Sequence, residues 1–108
     1  MRFLPFLLFF MLVVSCGPIV TTTAISRAEE ERRTALAIDA HIWSPYEFTK
    51  GDLLLSFAKD KQGSSDFTNA RQLAEEAQSL FKEAKRKVSE NRVRRRLFET
   101  LYKQEKAQ

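Results

Sequence analysis

Four groups of side chains in this sequence have types and spacings that bear on chemistry. The first is Cys16, the one cysteine of the chain, placed behind an apolar run in Val13-Val14-Ser15-Cys16-Gly17. A single thiol closes no internal disulfide, and its place at the end of the apolar run leaves the rest of the chain without cysteine chemistry. The second is His41, the one histidine, with Asp39 as its nearest acidic neighbour. A metal centre needs several converging ligands, and this pair falls short; a lone histidine at a helix end is ordinarily a cap or surface group. The third is Ser44, close to His41 in sequence but indistinguishable from a helix cap, with no Gly-x-Ser-x-Gly elbow or Gly-rich phosphate loop anywhere in the chain. The carboxylates are interleaved with bases, as on solvated helix faces, rather than paired as acid and base. No enzyme, metal, cofactor or small-molecule substrate is expected.

The fourth group stands above its background. Between residues 82 and 96 lie Lys82, Lys85, Arg86, Lys87, Arg92, Arg94, Arg95 and Arg96 against Glu83 and Glu90, a net of +6 on a chain whose total is +4. Such a run is either a solvated helix face or a contact for an anionic surface. Phospholipid headgroups, lipopolysaccharide, peptidoglycan carboxylates and an acidic partner protein all fit, each base near a charged bilayer adding about 1 kcal/mol. The candidate contact residues are Lys85, Arg86, Lys87, Arg92, Arg94, Arg95 and Arg96. Leu97, Phe98, Leu101 and Tyr102 follow the arginines. They suit a membrane surface, a partner's groove, or packing back onto the first helix of the body. Nucleic acid suits the charge electrostatically, but the amino-terminal leader argues against an encounter with any, and none is expected as partner.

That leader is read from Arg2 and the run of residues 3 to 14, almost purely Phe, Leu, Met and Val, the make-up of a secretory signal. Its end resembles the lipobox of bacterial lipoproteins: an aliphatic residue, a tolerant position, a small residue, then cysteine. The resemblance implies diacylglyceryl attachment to Cys16, cleavage before it, and acylation of the new terminus. Several acyl chains on one residue anchor stably, at about 0.8 kcal/mol per buried methylene. Two other readings stay open. The apolar stretch from residue 3 to 20 is near the lower limit of a membrane-spanning helix, although Pro5, Gly17 and Pro18 interrupt it; and Cys16 is incidental if the signal is plainly secretory. All three put the body outside the cytoplasm. Gly17 rather than Asp after the cysteine implies, by resemblance to the enterobacterial sorting rule, the outer membrane over the inner.

Removal of the first 15 of 108 residues leaves 93, one small domain with a modest core. Lys, Arg, Glu, Gln and Ala are abundant and Pro is absent after Pro45, which favours helix. Residues 16–23 read as a lipidated tether without helical period. A first helix is expected over 24–42 from Ile25, Ala28, Ala35, Ile38 and Ile42, with Glu29–Arg33 as an i,i+4 pair. A second is expected over 45–61, with Ser44 as N-cap, Pro45 at the first position and Glu47 completing a capping box. Its apolar face reads as Tyr46, Leu53, Leu54, Phe57 and Ala58, and Gly51 marks a close helix contact or a local weakness. Gly63 is the expected stop.

The third helix is expected over 66–104, capped by Ser65 or Asp66. Phe67, Ala70, Ala74, Ala77, Phe81, Ala84 and Val88 follow a strict three-four alternation, a heptad seam whose alanines permit close approach of a neighbour. After Val88 that phase fails, and Val93, Leu97 and Leu101 take over on a rotated face. With no Gly or Pro there, one continuous helix is expected.

The segment from about residue 24 to 85 resembles a family of small, Ala-rich helical envelope proteins of unknown function. Many of them carry lipoprotein leaders, and some stand ahead of an OmpA-like domain. The match rests on Pro45-Tyr46-Glu47-Phe48-Thr49, on Ser65-Asp66-Phe67-Thr68-Asn69-Ala70-Arg71 and on Leu73-Ala74-Glu75-Glu76-Ala77. The hairpin is also similar to one tetratricopeptide unit. What the resemblance implies is an envelope location and a helical hairpin, with no catalytic residues. The expectation is therefore an all-α bundle: a tetratricopeptide-like hairpin, an amino-terminal helix across it, and a long carboxy-terminal helix. The expected function is a non-enzymatic envelope lipoprotein, an adaptor or structural element facing the periplasm and binding a protein complex or the cell wall. The alternative is an accessory, pilotin-like lipoprotein of a secretion or pilus system, or the same body on an uncleaved anchor.

Overall fold

A computed structural model describes residues 2–14 and 16–108, with side chains described for 2–9 and 19–108. The fold is all-α and ends in a long carboxy-terminal helix. In chain order the helices are α1 (Leu4–Val14), α2 (Cys16–Ala37), α3 (Ala40–Trp43), α4 (Pro45–Gly63) and α5 (Phe67–Ala107). The molecule is a rod with extents of 91 × 20 × 15 Å. α5 is its spine: α2 and α4 both lie along the first part of it and touch each other less.

The core is the expected seam and what faces it. Ala70, Ala74, Ala77, Phe81, Ala84 and Val88 are buried, while Phe67 at the seam's start is half-buried. Opposite them lie Ala24, Ile25, Ala28 and Ala35 of α2, and Phe48, Leu55 and Ala58 of α4. Phe81, fully buried, stands 5.4 Å from Phe48 in a tilted aromatic pair. Gly51 is the close contact. A β-carbon there would lie 3.0 Å from Phe81 Cε1 and 3.1 Å from Cδ1, so the missing methyl makes room for the ring.

Several local expectations differ from the structure. The buried row of α4 is Phe48, Gly51, Leu55 and Ala58; Tyr46, Leu53 and Phe57 are exposed and Leu54 is half-buried. α4 carries two apolar rows, and the one containing glycine wins because only it lets Phe81 approach. α2 starts at Cys16 rather than Ala24, so residues 17–23 are helical instead of a loose tether. Thr21 explains the extension: it is buried and its hydroxyl donates to the Phe67 carbonyl at 3.0 Å, while Thr22 Oγ1 accepts from Gln62 Nε2 at 3.1 Å. Tertiary contacts override the poor helix propensity of a threonine run. Pro18 falls in the first turn, where a missing N–H leaves no bond unmade.

α2 also stops early, at Ala37. Asp39 takes a left-handed conformation (φ 61°), which aspartate tolerates better than most residues, and the chain turns into α3. The turn buries Ala40 and leaves Ile42 exposed, against the expected first-helix face. The capping box does not form. Ser44 precedes α4 without a side-chain cap bond; it is buried beneath α5, and Glu47 turns to Lys87. Gly63 is the last residue of α4 rather than a left-handed stop; Ser65 supplies the positive φ (62°). Asp66 sits at the N-cap of α5 and accepts from Asn69 Nδ2 at 2.8 Å instead of from the backbone.

Candidate functional site

The bases between 82 and 96 all lie on one helix, and 3.6 residues per turn spreads them around it. The seven candidate residues divide into three sets. Lys85 and Lys87 flank the seam and tie the bundle together. Lys85 Nζ reaches Glu31 of α2 at 2.5 Å and donates to Thr34 Oγ1 at 2.9 Å; Lys87 Nζ reaches Glu47 of α4 at 2.5 Å. The Glu47 side chain is only 13% exposed. The hydrogen bond from Lys87 holds its carboxyl below the usual range and raises Lys87 in turn. Arg86 lies on the outer face and forks onto Glu83 at 2.6 and 3.0 Å, with Glu90 at 3.7 Å. That fork lowers the Glu83 carboxyl and raises the guanidinium.

The second set closes the top of the bundle around Trp43. The guanidinium carbons of Arg92 and Arg95 each lie 5.3 Å from the Trp43 ring centroid, within cation–π range. Arg92 Nη2 donates to the Ile38 carbonyl just past α2 at 3.3 Å, a favourable place for a cation at a helix carboxyl end. Asn91 Nδ2 donates to the Trp43 carbonyl at 2.7 Å and to Ser44 Oγ at 3.4 Å. Arg95 pairs with Glu99 at 3.4 Å. Arg96 borders two open clefts. One, of about 450 Å³, has Asp39, Trp43 and Glu99 in its walls; the other, of about 350 Å³, has Ile38, Val88 and Val93.

Arg94 forms the third set alone, on the opposite flank from Arg96, pairing with Glu90 at 3.3 Å. The seven candidate residues therefore do not converge on one anion site. Two of them tie α5 to α2 and α4, Arg86 lies on the outer face, three border the cleft at Trp43, and Arg94 faces the open side of the carboxy-terminal extension. Beyond Arg92 every residue of α5 is exposed. Val93, Leu97, Phe98, Leu101 and Tyr102, between 54% and 72% exposed, do not pack back onto the first helix. Sequence reasoning missed Trp43 and Asn91. The one usable signal was arginine at i and i+3 following an asparagine, because their partner lies 48 positions away from Asn91.

At the other end of the rod α1 presents Phe3, Leu4, Phe6, Leu7, Leu8 and Phe9 to solvent. Ser15 and the Cys16 thiol lie outside the described residues. Among the described residues no helix is long and apolar enough to cross a membrane, and no cluster of three potential ligands could hold a metal. A third groove, of about 500 Å³ between α2 and α4, is bridged by Arg32–Asp52 and Glu29–Lys59, each at 2.6 Å. Comparison of the chain with protein-family models, curated proteins and solved structures finds no match.

Proposed function

We propose that this chain is a bacterial envelope lipoprotein, anchored through Cys16, whose helical body is a non-enzymatic adaptor. The observation that carries the reading is the independence of the leader from the body. Thr21 is the first buried residue among those described, and among the described residues α1 meets no helix other than α2. Cleavage before Cys16 would therefore remove an apolar helix whose described side chains are exposed, and leave the described core whole. The lipobox-like Val13-Val14-Ser15-Cys16 supplies the processing signal, and the outer membrane suits Gly17.

The shape of the body supports the adaptor part. The anchor and the unpaired apolar surface of α5 lie at opposite ends of the rod, so a membrane at one end leaves the other free to engage an envelope protein or the cell wall. Labelling of cells expressing the full chain with radioactive palmitate tests the anchor. Label on the wild-type chain, lost in Cys16→Ser with retention of the leader, is the expected result. An unlabelled wild-type chain, or label that persists in the variant, overturns it.

A further inference from the structure

The exposed part of α5 contains a seam that no element of this chain covers. Arg94, Phe98, Leu101 and Glu105 are spaced four, three and four residues apart, so they fall on one face of the helix. Leu97 and Tyr102 border that face on its two sides. The spacing reads the same from either end. Two such helices laid antiparallel, centred between residues 99 and 100, bring the two copies of Leu97 to one flank and the two copies of Tyr102 to the other, and set Phe98 against Leu101 and Arg94 against Glu105. Each contact then occurs twice, which is the condition for a two-fold isologous interface.

We infer that the occupant of this face is a second copy of the chain, bound antiparallel through residues 94–105. Charge selects that orientation. A parallel pair would oppose Arg94 to Arg94 and Glu105 to Glu105, whereas the antiparallel pair makes two ion pairs at the ends of the apolar patch. Glu105 has no ion-pair partner within the chain among the described residues, and Arg94 is 68% exposed beside Glu90. Arg96 and Lys103 point away from the seam. A bilayer surface fits less well, because Arg94 and Glu105 share the face of Phe98 and Leu101, and both charges would be drawn toward the hydrocarbon boundary. The patch is short beside a standard interface of about 20–30 residues a side, so the dimer is concentration-dependent. The inference rests on α5 alone and stands whether or not Cys16 is acylated.

The test uses the full chain in mild detergent, carrying Cys16→Ser so that any introduced thiol is the only one. Chains with Arg94→Cys and Glu105→Cys under different tags are expected to form a mixed disulfide on oxidation. Arg94→Cys chains alone should not, because their thiols stand about 16 Å apart along the axis. By sedimentation, Arg94→Glu and Glu105→Arg should each weaken the dimer about tenfold or more through like-charge opposition. The double exchange Arg94→Glu with Glu105→Arg should restore it. Both seam positions, Arg94 and Glu105, are exposed in the structure, and unchanged helicity by circular dichroism confirms folding. A monomer at every concentration, faster linking of Arg94→Cys to itself than to Glu105→Cys, or no rescue by the double exchange overturns the inference. So does binding of monomers to anionic vesicles with no dimer, which would assign the face to a membrane.

Discussion

The two parts of α5, before and after Arg92, are one helix under two regimes. Residues 67–92 bury small side chains, mostly alanine, with one phenylalanine at the centre; residues 93–107 expose Val, Leu, Phe and Tyr. By side-chain size the second part is the more hydrophobic face, yet it is the bare one. The difference is supply. α2, α3 and α4 offer enough surface to cover five turns of seam, and the chain turns at Asp39 and Trp43 have already closed the bundle. Apolar content does not create a core without something opposite it. Helix continuity across the junction needs no partner of its own, because residues 89–107 are mostly strong helix formers without Gly or Pro.

The sharpest way to test that contrast is truncation on both sides of the junction. Phe81→Ala should lower stability by about 3–5 kcal/mol, the range for a fully buried aromatic. Leu97→Ala should stay within about 0.5 kcal/mol in the monomer, as read by urea unfolding at low protein concentration. Equal effects would erase the distinction between the two parts.

Gly51→Ala probes the tightest contact of the buried part. The added methyl gains about 1 kcal/mol of helix propensity but meets a ring already held by Phe48, and overpacking of this kind costs about 1–3 kcal/mol. A net loss of roughly 1 kcal/mol is expected, relieved when Phe81→Leu is combined with it; a stabilised Gly51→Ala protein would show that Phe81 can move aside.

Asn91→Ala acts at the junction itself. Loss of the bonds to the Trp43 carbonyl and Ser44 should cost about 1 kcal/mol and speed hydrogen exchange in α3 more than in the middle of α4. Exchange that rises uniformly would mean that Asn91 does not hold the top of the bundle.

The smallest expected effect is electrostatic. Glu47→Gln should lose at most about 1 kcal/mol, since Lys87 remains partly exposed. The folded-state shift of Glu47 is downward, so the pair's contribution is full above the ordinary glutamate value of 4.5 and fades as pH falls through the lowered one. Lys87 is shifted upward, so the contribution persists to 10.5 and fades as pH rises past it. Thermal unfolding of wild type and Glu47→Gln should therefore differ between about pH 5 and 10 and converge at both extremes; a difference independent of pH would place the effect in packing.

Much of the fold was legible because it rests on local rules. The three-four spacing appears as the buried seam from Ala70 to Val88, with Phe67 half-buried at its start, and the absence of Gly and Pro after Ser65 appears as one helix to Ala107. The candidate site was legible only as charge. Nothing in the run from Lys82 to Arg96 says that Lys85 and Lys87 belong to Glu31 and Glu47, because those partners lie 54 and 40 positions away and any acid on a facing helix would serve as well. The misread face of α4 has the same origin. Both of its apolar rows satisfy the helical period, and periodicity alone ranks neither.

The sequence by itself determined that this chain is helical, where its long helix runs, that its α5 seam packs closely, and that its amino end is strongly apolar. These follow from propensity and spacing, which act between residues a turn or two apart. The tertiary structure decided which face of α4 is buried, that the threonines after Cys16 are helical, that the chain turns at Asp39, and which bases are paired. Those outcomes depend on shape and charge matched between segments far apart in the chain: a glycine opposite a phenylalanine, a threonine beneath a carbonyl, an asparagine under a tryptophan. The same distinction applies to the end of α5, where the palindromic seam is written in local spacing and its proposed occupant is a second copy of the chain.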